Sequence, residues 1–189
     1  MTKKKKIALM ELTSYHEECL YSQIQFLIKG NYDLTLILNP KNNSNIDFYG
    51  VPKKNIILFD PRSSSFILKR ISNWISLYRF IVKNNFEKVI FNTASSNKEV
   101  IALTRFLPKK IKCYGIIHNL RKLNQSASQR TISKRITDYY VLNDFLIDSA
   151  TLKNKKIKLH SFYPIFCPEY TTPETIKKIS EFWVCIPGE

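Results

Sequence analysis

Polar side chains that can do chemistry stand where the apolar runs of this sequence stop. The run Ile111–Ile117 ends at His118, whose imidazole can exchange a proton near neutral pH. Hydroxyl, amide, imidazole and guanidinium groups near the ends of this run and two others are candidates for binding a ligand: Ser14, His16, Asn92, Ser95, Asn119 and Arg121. Asn143 follows a further run and is typical of a helix cap as well as a binding candidate. Such groups suit a polyhydroxylated or phosphorylated ligand.

Other chemistries are excluded by the spacing. No G-x-G-x-x-G follows the first apolar run and no G-x-x-x-x-G-K-[ST] loop occurs, which excludes a dinucleotide-dependent redox enzyme and a P-loop NTPase. The four cysteines show no metal-ligand spacing and are typical of reduced thiols: Cys19, Cys113, Cys167 and Cys185. We therefore expect no metal and no cofactor.

Alternating strands and helices must position these candidates. Short apolar runs predict strands at 7–12, 33–38, 55–59, 88–92, 111–117, 137–142 and 156–159. Apolar residues at helical spacing predict helices around 20–28 and at 66–84 and 98–106, with a short one from Asn143 to about residue 150. This alternation predicts an α/β fold, a Rossmann-like and mostly parallel sheet with helices on both faces. In such sheets ligands bind beyond the carboxyl ends of the strands, where the candidates would gather.

The helix predicted at 66–84 has two faces and two interpretations. Its apolar positions are expected to pack on the core: Ile67, Ile71, Trp74, Ile75, Tyr78, Ile81 and Val82. Its other face carries four cations, Lys69, Arg70, Arg79 and Lys83. These cations either face solvent or contact an anionic membrane surface.

A net charge of +15 favours anionic partners, which include phosphorylated ligands, membranes and nucleic acid. The basic residues are scattered and accompany no nucleic-acid motif, so we do not expect nucleic acid. The apolar segment after Lys3–Lys6 is too short for a signal peptide, and no run reaches the roughly 20 residues of a membrane span. These features predict a cytoplasmic protein, in peripheral contact with the inner face of the membrane if the basic helix binds lipid.

Three short segments resemble the amino-terminal half of a GT-B glycosyltransferase. They are Gly-Ile-Ile-His-Asn at 115–119, Tyr-Val-Leu-Asn at 140–143 and the terminal Trp-Val-Cys-Ile-Pro-Gly-Glu at 183–189. The resemblance implies a two-domain enzyme in which this half holds mainly the acceptor and the other half most of the nucleotide sugar. It places His118 near the donor sugar and Asn143 on the donor side, with the remaining donor-binding residues outside this chain. The first loop, Thr13–His16, lacks the glycine pair that many members have there.

Composition changes after residue 163. Pro164, Pro168 and Pro173 indicate a linker, followed by a predicted helix at 174–179 and strand at 182–186. We expect residues 1–163 to form the acceptor-side domain, and residues 164–189 to be the linker and the start of a second, missing carboxyl-terminal domain. The predicted function is transfer of a sugar from a nucleotide-sugar donor to a glycan or lipid-linked acceptor in surface polysaccharide synthesis, with this chain alone inactive. The alternative is a non-catalytic α/β module that binds an anionic ligand, a partner or nucleic acid.

Overall fold

Parallel strands and crossover helices make up the described part of the chain. The computed structural model describes residues 4–13, 17–42, 49–60, 65–94, 98–118, 133, 135–150 and 156–163. Within them no helix has the length and apolar character needed to span a bilayer. The predicted helix at 174–179 and strand at 182–186 lie outside the described residues.

One seven-stranded sheet organises the fold. Its strands are β1 (Lys6–Glu11), β2 (Asp33–Leu38), β3 (Ile56–Leu58), β4 (Lys88–Phe91), β5 (Lys112–Ile117), β6 (Asp138–Val141) and β7 (Lys158–Ser161). All neighbours pair in parallel, in the order β3-β2-β1-β4-β5-β6-β7. The order reverses between β1 and β4, so the crevice where doubly wound sheets bind ligands lies there.

Within the described residues, four helices connect the strands: α1 (Glu17–Lys29), α2 (Ile67–Lys83), α3 (Lys98–Phe106) and α4 (Asp144–Asp148), together with a 3₁₀ turn at Lys53–Asn55. Asn31 ends α1 in the left-handed conformation, with φ of 57°, as an asparagine tolerates. Phe66 is the N-cap of α2 and makes no side-chain capping hydrogen bond.

The two faces of the sheet belong to separate apolar clusters. Ala8 and Met10 of β1 pack with Leu77 and Ile81 of α2, whereas the alternate β1 residues pack with Leu20, Ile24 and Leu27 of α1. This division follows from the two-residue period of a strand. On the α1 side, β4 to β7 show a row of tyrosines and charged groups instead. The Lys88 ammonium lies 5.5 and 5.7 Å from the ring centres of Tyr32 and Tyr114.

The packing of α2 differs from the prediction. Leu77 and Ile81 are its buried residues, and Leu77 was not among the expected core positions. Three residues that were expected to face the core are exposed: Ile67, Ile71 and Ile75. The apolar arc of α2 is wider than the surface that it buries, so it continues from the core onto the outside of the helix.

Gly115 permits the close approach of β4, β5 and β6. A Cβ atom there would lie 2.6 Å from Tyr139 Cε1 and 2.7 Å from the Ala94 Cβ. Tyr139 is fully buried, and its hydroxyl donates to the Ser133 carbonyl oxygen at 3.2 Å. Burial raises the pKa of this phenol, which keeps it protonated as a donor.

Candidate functional site

The carboxyl ends of β1, β4 and β5 meet at the point where the strand order reverses. Met10 pairs with Phe91, and Phe91 pairs with Gly115. The ladder continues beyond the strands, because Asn92 N donates to Met10 O at 2.9 Å and Ala94 N donates to Ile116 O at 3.1 Å. This register brings Glu11, Asn92 and His118 together from positions far apart in the sequence.

Glu11 is a fully buried carboxylate at the centre of this edge. Its Oε1 accepts from Thr13 N at 2.7 Å and from Thr13 Oγ1 at 2.5 Å. Its Oε2 accepts from Asn92 Nδ2 and, at 3.0 Å, from Thr93 Oγ1. Burial raises the pKa of Glu11, although these hydrogen bonds act in the opposite direction. Each carboxylate oxygen already accepts two hydrogen bonds, so Glu11 joins the loops after β1 and β4. It is not accessible to act as a base on a ligand.

Asn92 connects Glu11 to α1. It is fully buried, and its Oδ1 accepts from Gln23 Nε2 at 2.5 Å while its Nδ2 donates to Glu11. Gln23 Oε1 is buried without a hydrogen-bond partner among the described residues. This chain of two amides can therefore reverse direction, since a flip of both would let Asn92 donate to Gln23 and accept from a protonated Glu11 or a glutamine at that position.

His118 lies half-buried directly after β5. Its Nε2 is 2.6 Å from the backbone oxygen of Asn92. A carbonyl can only accept, so Nε2 carries a hydrogen, and in the neutral ring Nδ1 is the basic nitrogen. Glu11 and His118 thus act on one residue: the carboxylate holds the Asn92 side chain, and the imidazole holds its carbonyl.

Two asparagines after β2 support the first loop. Asn39 Nδ2 donates to Leu12 O at 3.1 Å, and Asn42 Nδ2 donates to Thr13 O at 2.8 Å. The Thr13 hydroxyl in turn lies 3.5 Å from the Thr93 hydroxyl. The loops after β1, β2 and β4 are therefore held in one network, with two half-buried threonine hydroxyls within it.

Asn143 caps α4, as its position after β6 predicted. Its Oδ1 accepts from Leu146 N at 3.0 Å. Next to it, the carboxylate of Asp144 accepts from Tyr163 OH at 2.6 Å and from the Ser161 hydroxyl, which ties the ends of β6 and β7 together. These hydrogen bonds, with that of Ser161 the larger influence, hold the pKa of Asp144 below its usual value. A donor-binding role for Asn143 stays a prediction.

The predicted site residues fall into two groups. His118 and Asn92 lie together at the sheet edge, as their positions at strand ends predicted. Five others lie outside the described residues: Ser14, His16, Ser95, Asn119 and Arg121. Direct acceptor binding by Asn92 stays a prediction. In the structure Asn92 is completely buried and joins Glu11 to Gln23 by hydrogen bonds. Of the four cations of α2, Lys69, Arg79 and Lys83 are exposed and Arg70 is half-buried.

The sequence interpretation missed Glu11 and Gln23, whereas Thr13 and Thr93 belong to the polar residues that it placed after the first and fourth strands. For Glu11 a signal existed, because an acidic residue at the end of a buried strand needs several hydrogen-bond donors. Apart from Thr13, its donors are Asn92 and Thr93, which lie 81 and 82 positions away in the sequence, and only the strand order reveals them.

Neither a metal site nor a reactive thiol occurs in the part of the chain that the structure describes. It contains no group of three or more histidine, cysteine or acidic residues that could hold a metal ion. Cys19 and Cys113 are buried and form no disulfide within the described residues, and burial raises the pKa of Cys113 to about 11. At neutral pH that thiol is protonated and a poor nucleophile.

The sheet order and the site at its reversal define a Rossmann-like α/β fold of the kind that makes up each half of a GT-B architecture. This confirms the predicted fold class. The resemblance to half of a GT-B glycosyltransferase is confirmed as a likeness of fold by solved structures. No family model matches the chain, and no curated protein matches its sequence.

Among the solved structures, a glycosyltransferase from Rickettsia africae matches 100% of this chain and 51% of its own length, with a TM-score of 0.57 at 16% identity. HepE of Anabaena, solved with UDP and glucose, matches 95% of this chain and 50% of its own length, with a TM-score of 0.58 at 10% identity. A UDP-N-acetylglucosamine 2-epimerase from Rickettsia bellii matches 96% of this chain and 49% of its own length, with a TM-score of 0.55 at 11% identity. The chain therefore spans about half the length of these proteins, and the glycosyltransferase-like fold is shared with an epimerase.

Proposed function

We propose that this chain is the acceptor-side half of a glycosyltransferase. The enzyme would transfer a sugar from a nucleotide-sugar donor to a glycan or lipid-linked acceptor, in the cytoplasm and in surface polysaccharide synthesis. The observation that carries the proposal is the convergence of Glu11, Asn92 and His118 at the reversal point of the sheet, where doubly wound folds bind ligands. The match to half of each similar structure supports a division into two domains.

In this proposal His118 is the residue that acts at the donor sugar. Its Nε2 hydrogen is engaged by Asn92 O, which fixes the ring and makes Nδ1 the basic nitrogen. Nδ1 is buried, so its proposed contact with a sugar hydroxyl requires that this atom become exposed when substrate binds. Glu11 and Asn92 position that ring without touching substrate. Thr13 and Thr93 join the predicted acceptor-binding set of Ser14, His16, Ser95, Asn119 and Arg121, with Asn92 as their support.

The domain division is part of the same proposal. Residues 1–163 form the acceptor-side domain, and residues 164–189 lead into the domain that holds most of the donor. The nucleotide of the donor needs stabilisation of its departing phosphates, which the second domain would supply. This chain alone would then have little activity and would bind nucleotide sugars weakly.

The test uses the full gene product, screened for turnover with nucleotide sugars, and three variants. His118→Ala removes the imidazole and the bond to Asn92, whereas His118→Gln retains a donor for Asn92 but has no basic nitrogen. We expect both to lose turnover by about a hundredfold or more, with His118→Gln close to wild type in its unfolding midpoint. His160→Gln, which changes an exposed histidine paired with Asp138 at 3.0 Å, is the matched control and should keep its turnover.

Restored turnover in His118→Gln would mean that His118 only supports Asn92. Tight binding of a nucleotide sugar by residues 1–189 alone would contradict the division between domains. Absence of any transfer, with binding of an anionic ligand instead, would favour the non-catalytic module.

A further inference from the structure

The outer surface of α2 carries an apolar stripe that the fold leaves uncovered. Leu68, Ile71 and Ile75 recur at helical spacing, and they are 81%, 50% and 44% exposed. Phe66 and Ile67 extend the stripe at the start of the helix, where they are 75% and 71% exposed. Scattered apolar residues are normal on a surface, but a contiguous stripe on one helix marks an interaction site.

A groove between α2 and α3 continues this stripe. It has a volume of about 700 Å³ and is lined by Ile71, Trp74, Ile75, Tyr78, Leu103 and Phe106, among others. Phe106 of α3, which lines this groove, is 74% exposed. We call the stripe and the groove together the α2 surface.

Cations border the α2 surface. Arg79 lines the groove, and Lys69 and Lys83 are exposed on the neighbouring face of the same helix. The helix sequence contains no acidic residue. A helix with an exposed apolar stripe beside lysine and arginine is typical of segments that lie in the interface of a lipid bilayer.

The position of the α2 surface relates it to the candidate site. Because β3 and β4 are parallel, α2 runs back between them and begins at the carboxyl edge of the sheet. Its most exposed apolar residues, at 66–71, are at that beginning. A bilayer in contact with them would lie on the same side of the molecule as His118.

We propose that the α2 surface docks this protein on an anionic lipid bilayer, with its apolar stripe inserted among the acyl chains and its cations at the headgroups. The complementary charge of the headgroups favours a bilayer over a second copy of this chain, which carries a net charge of +15 and would oppose like charges across the contact. The proposal adds the exposed apolar residues to Lys69, Arg79 and Lys83, three of the four cations expected from the sequence; the fourth, Arg70, is half-buried. It deepens the proposed function by making the acceptor lipid-linked, and its test uses no sugar.

The test measures sedimentation of the full 189-residue chain with vesicles of phosphatidylcholine, with and without about 30% phosphatidylglycerol. We expect binding to the anionic vesicles and much weaker binding to the neutral ones. Leu68→Ser/Ile71→Ser should weaken binding by about tenfold or more, because it removes apolar area that enters the bilayer. Arg79→Gln/Lys83→Gln should weaken it by a similar factor, at about 1 kcal/mol for each cation.

Two matched controls separate this surface from general charge attraction. Phe26→Ser changes a phenylalanine that is 73% exposed on α1, and Lys4→Gln/Lys54→Gln removes two exposed lysines elsewhere. Both should bind as the wild type does. Loss of binding in the controls equal to that in the α2 variants would overturn the proposal, as would wild-type binding that ignores the anionic lipid.

Tryptophan fluorescence gives a second readout. The chain has two tryptophans, and in a Trp183→Phe background Trp74 in the groove is the reporter. Its emission should shift to shorter wavelength with anionic vesicles.

Sedimentation of the lipid-free chain as a dimer that Leu68→Ser/Ile71→Ser converts to a monomer would show instead that the α2 surface joins two copies. Vesicle binding by this chain, together with a full gene product that transfers no sugar in the separate turnover screen, would contradict the proposed function and leave the docking proposal standing.

Discussion

Glu11 shows how one residue determines the geometry of the sheet edge. A buried carboxylate is costly unless donors surround it, and here two loops supply them. The cost is still visible in its raised pKa. The Asn92 side chain donates a hydrogen bond to Glu11, and the Asn92 backbone carbonyl accepts one from His118. The orientation of the imidazole therefore depends on a carboxylate that it does not contact.

Replacement of Glu11 tests this arrangement. Glu11→Ala leaves Thr13 N, Asn92 and Thr93 without an acceptor, and should lower the free energy of unfolding by roughly 3 kcal/mol or more. Glu11→Gln should cost only about 1 kcal/mol, because Asn92 and Gln23 can both flip and Gln23 Oε1 has no other partner among the described residues. Urea denaturation measures both, with Glu87→Gln as the control at an exposed carboxylate. An equal loss in the two Glu11 variants would contradict the amide reversal.

The pH dependence of stability gives a separate prediction for Glu11. Because its pKa is raised above the usual 4.5, the folded state holds its proton to higher pH than the unfolded chain does. Its contribution to stability is therefore greatest at low pH, and falls as pH rises from about 4.5 through the raised pKa. The difference in unfolding free energy between wild type and Glu11→Gln should decrease over this window. A difference that stays constant with pH would mean that Glu11 titrates normally.

At the scale of elements, the sequence was sufficient where the apolar pattern was local. The strand at 33–38 and the helix at 98–106 were predicted at their observed bounds, because each is a compact pattern between clear breaks. The last strand was predicted at 156–159 and lies at Lys158–Ser161. It is an edge strand with few apolar residues, so no burial pattern determined its register.

The face of α2 was harder to predict for a physical reason. Apolar residues cover more than the arc that the sheet can bury, and periodicity alone does not distinguish the part in contact with β1 and β4 from the part in solvent. The sequence pattern was also insufficient for the site. His118 and Asn92 could be predicted because they are polar residues at the ends of strands. The role of Glu11 becomes visible only once the strand order is known, because that order places Asn92 beside it.

Gly115 allows a prediction about the packing of β5. Gly115→Ala puts a methyl group 2.6 Å from the Tyr139 ring and 2.7 Å from Ala94, where overpacking should cost about 1–3 kcal/mol of unfolding free energy. Thermal or urea unfolding measures the loss. Adding Ala94→Gly removes one of the two clashes. Gly115→Ala should therefore cost less stability in an Ala94→Gly background than in the wild type. No recovery would mean that the Tyr139 ring is the whole obstacle.

At the scale of the whole molecule, stability should be graded across the sheet. β1 is an interior strand of the sheet with an apolar cluster on each face, and Ile7–Met10 are at most 1% exposed. β4 pairs with β1 and β5, whereas β7 lies at the edge and exposes Lys158 and His160. Strands that are enclosed by helices and neighbours open only when the whole domain unfolds, and edge strands open locally.

Hydrogen exchange with peptide-level mass spectrometry tests this gradient. Amides of β1 and β4 should exchange slowest, and those of β7 at least about a hundredfold faster, because β7 needs only to separate from β6. The hydrogen bonds of Asp144 to Tyr163 and Ser161 are the local restraint on that separation. Asp144→Ala should therefore speed exchange in β7 while leaving β1 unchanged. Equal protection of β7 and β1 would mean that another part of the chain or a partner covers that edge.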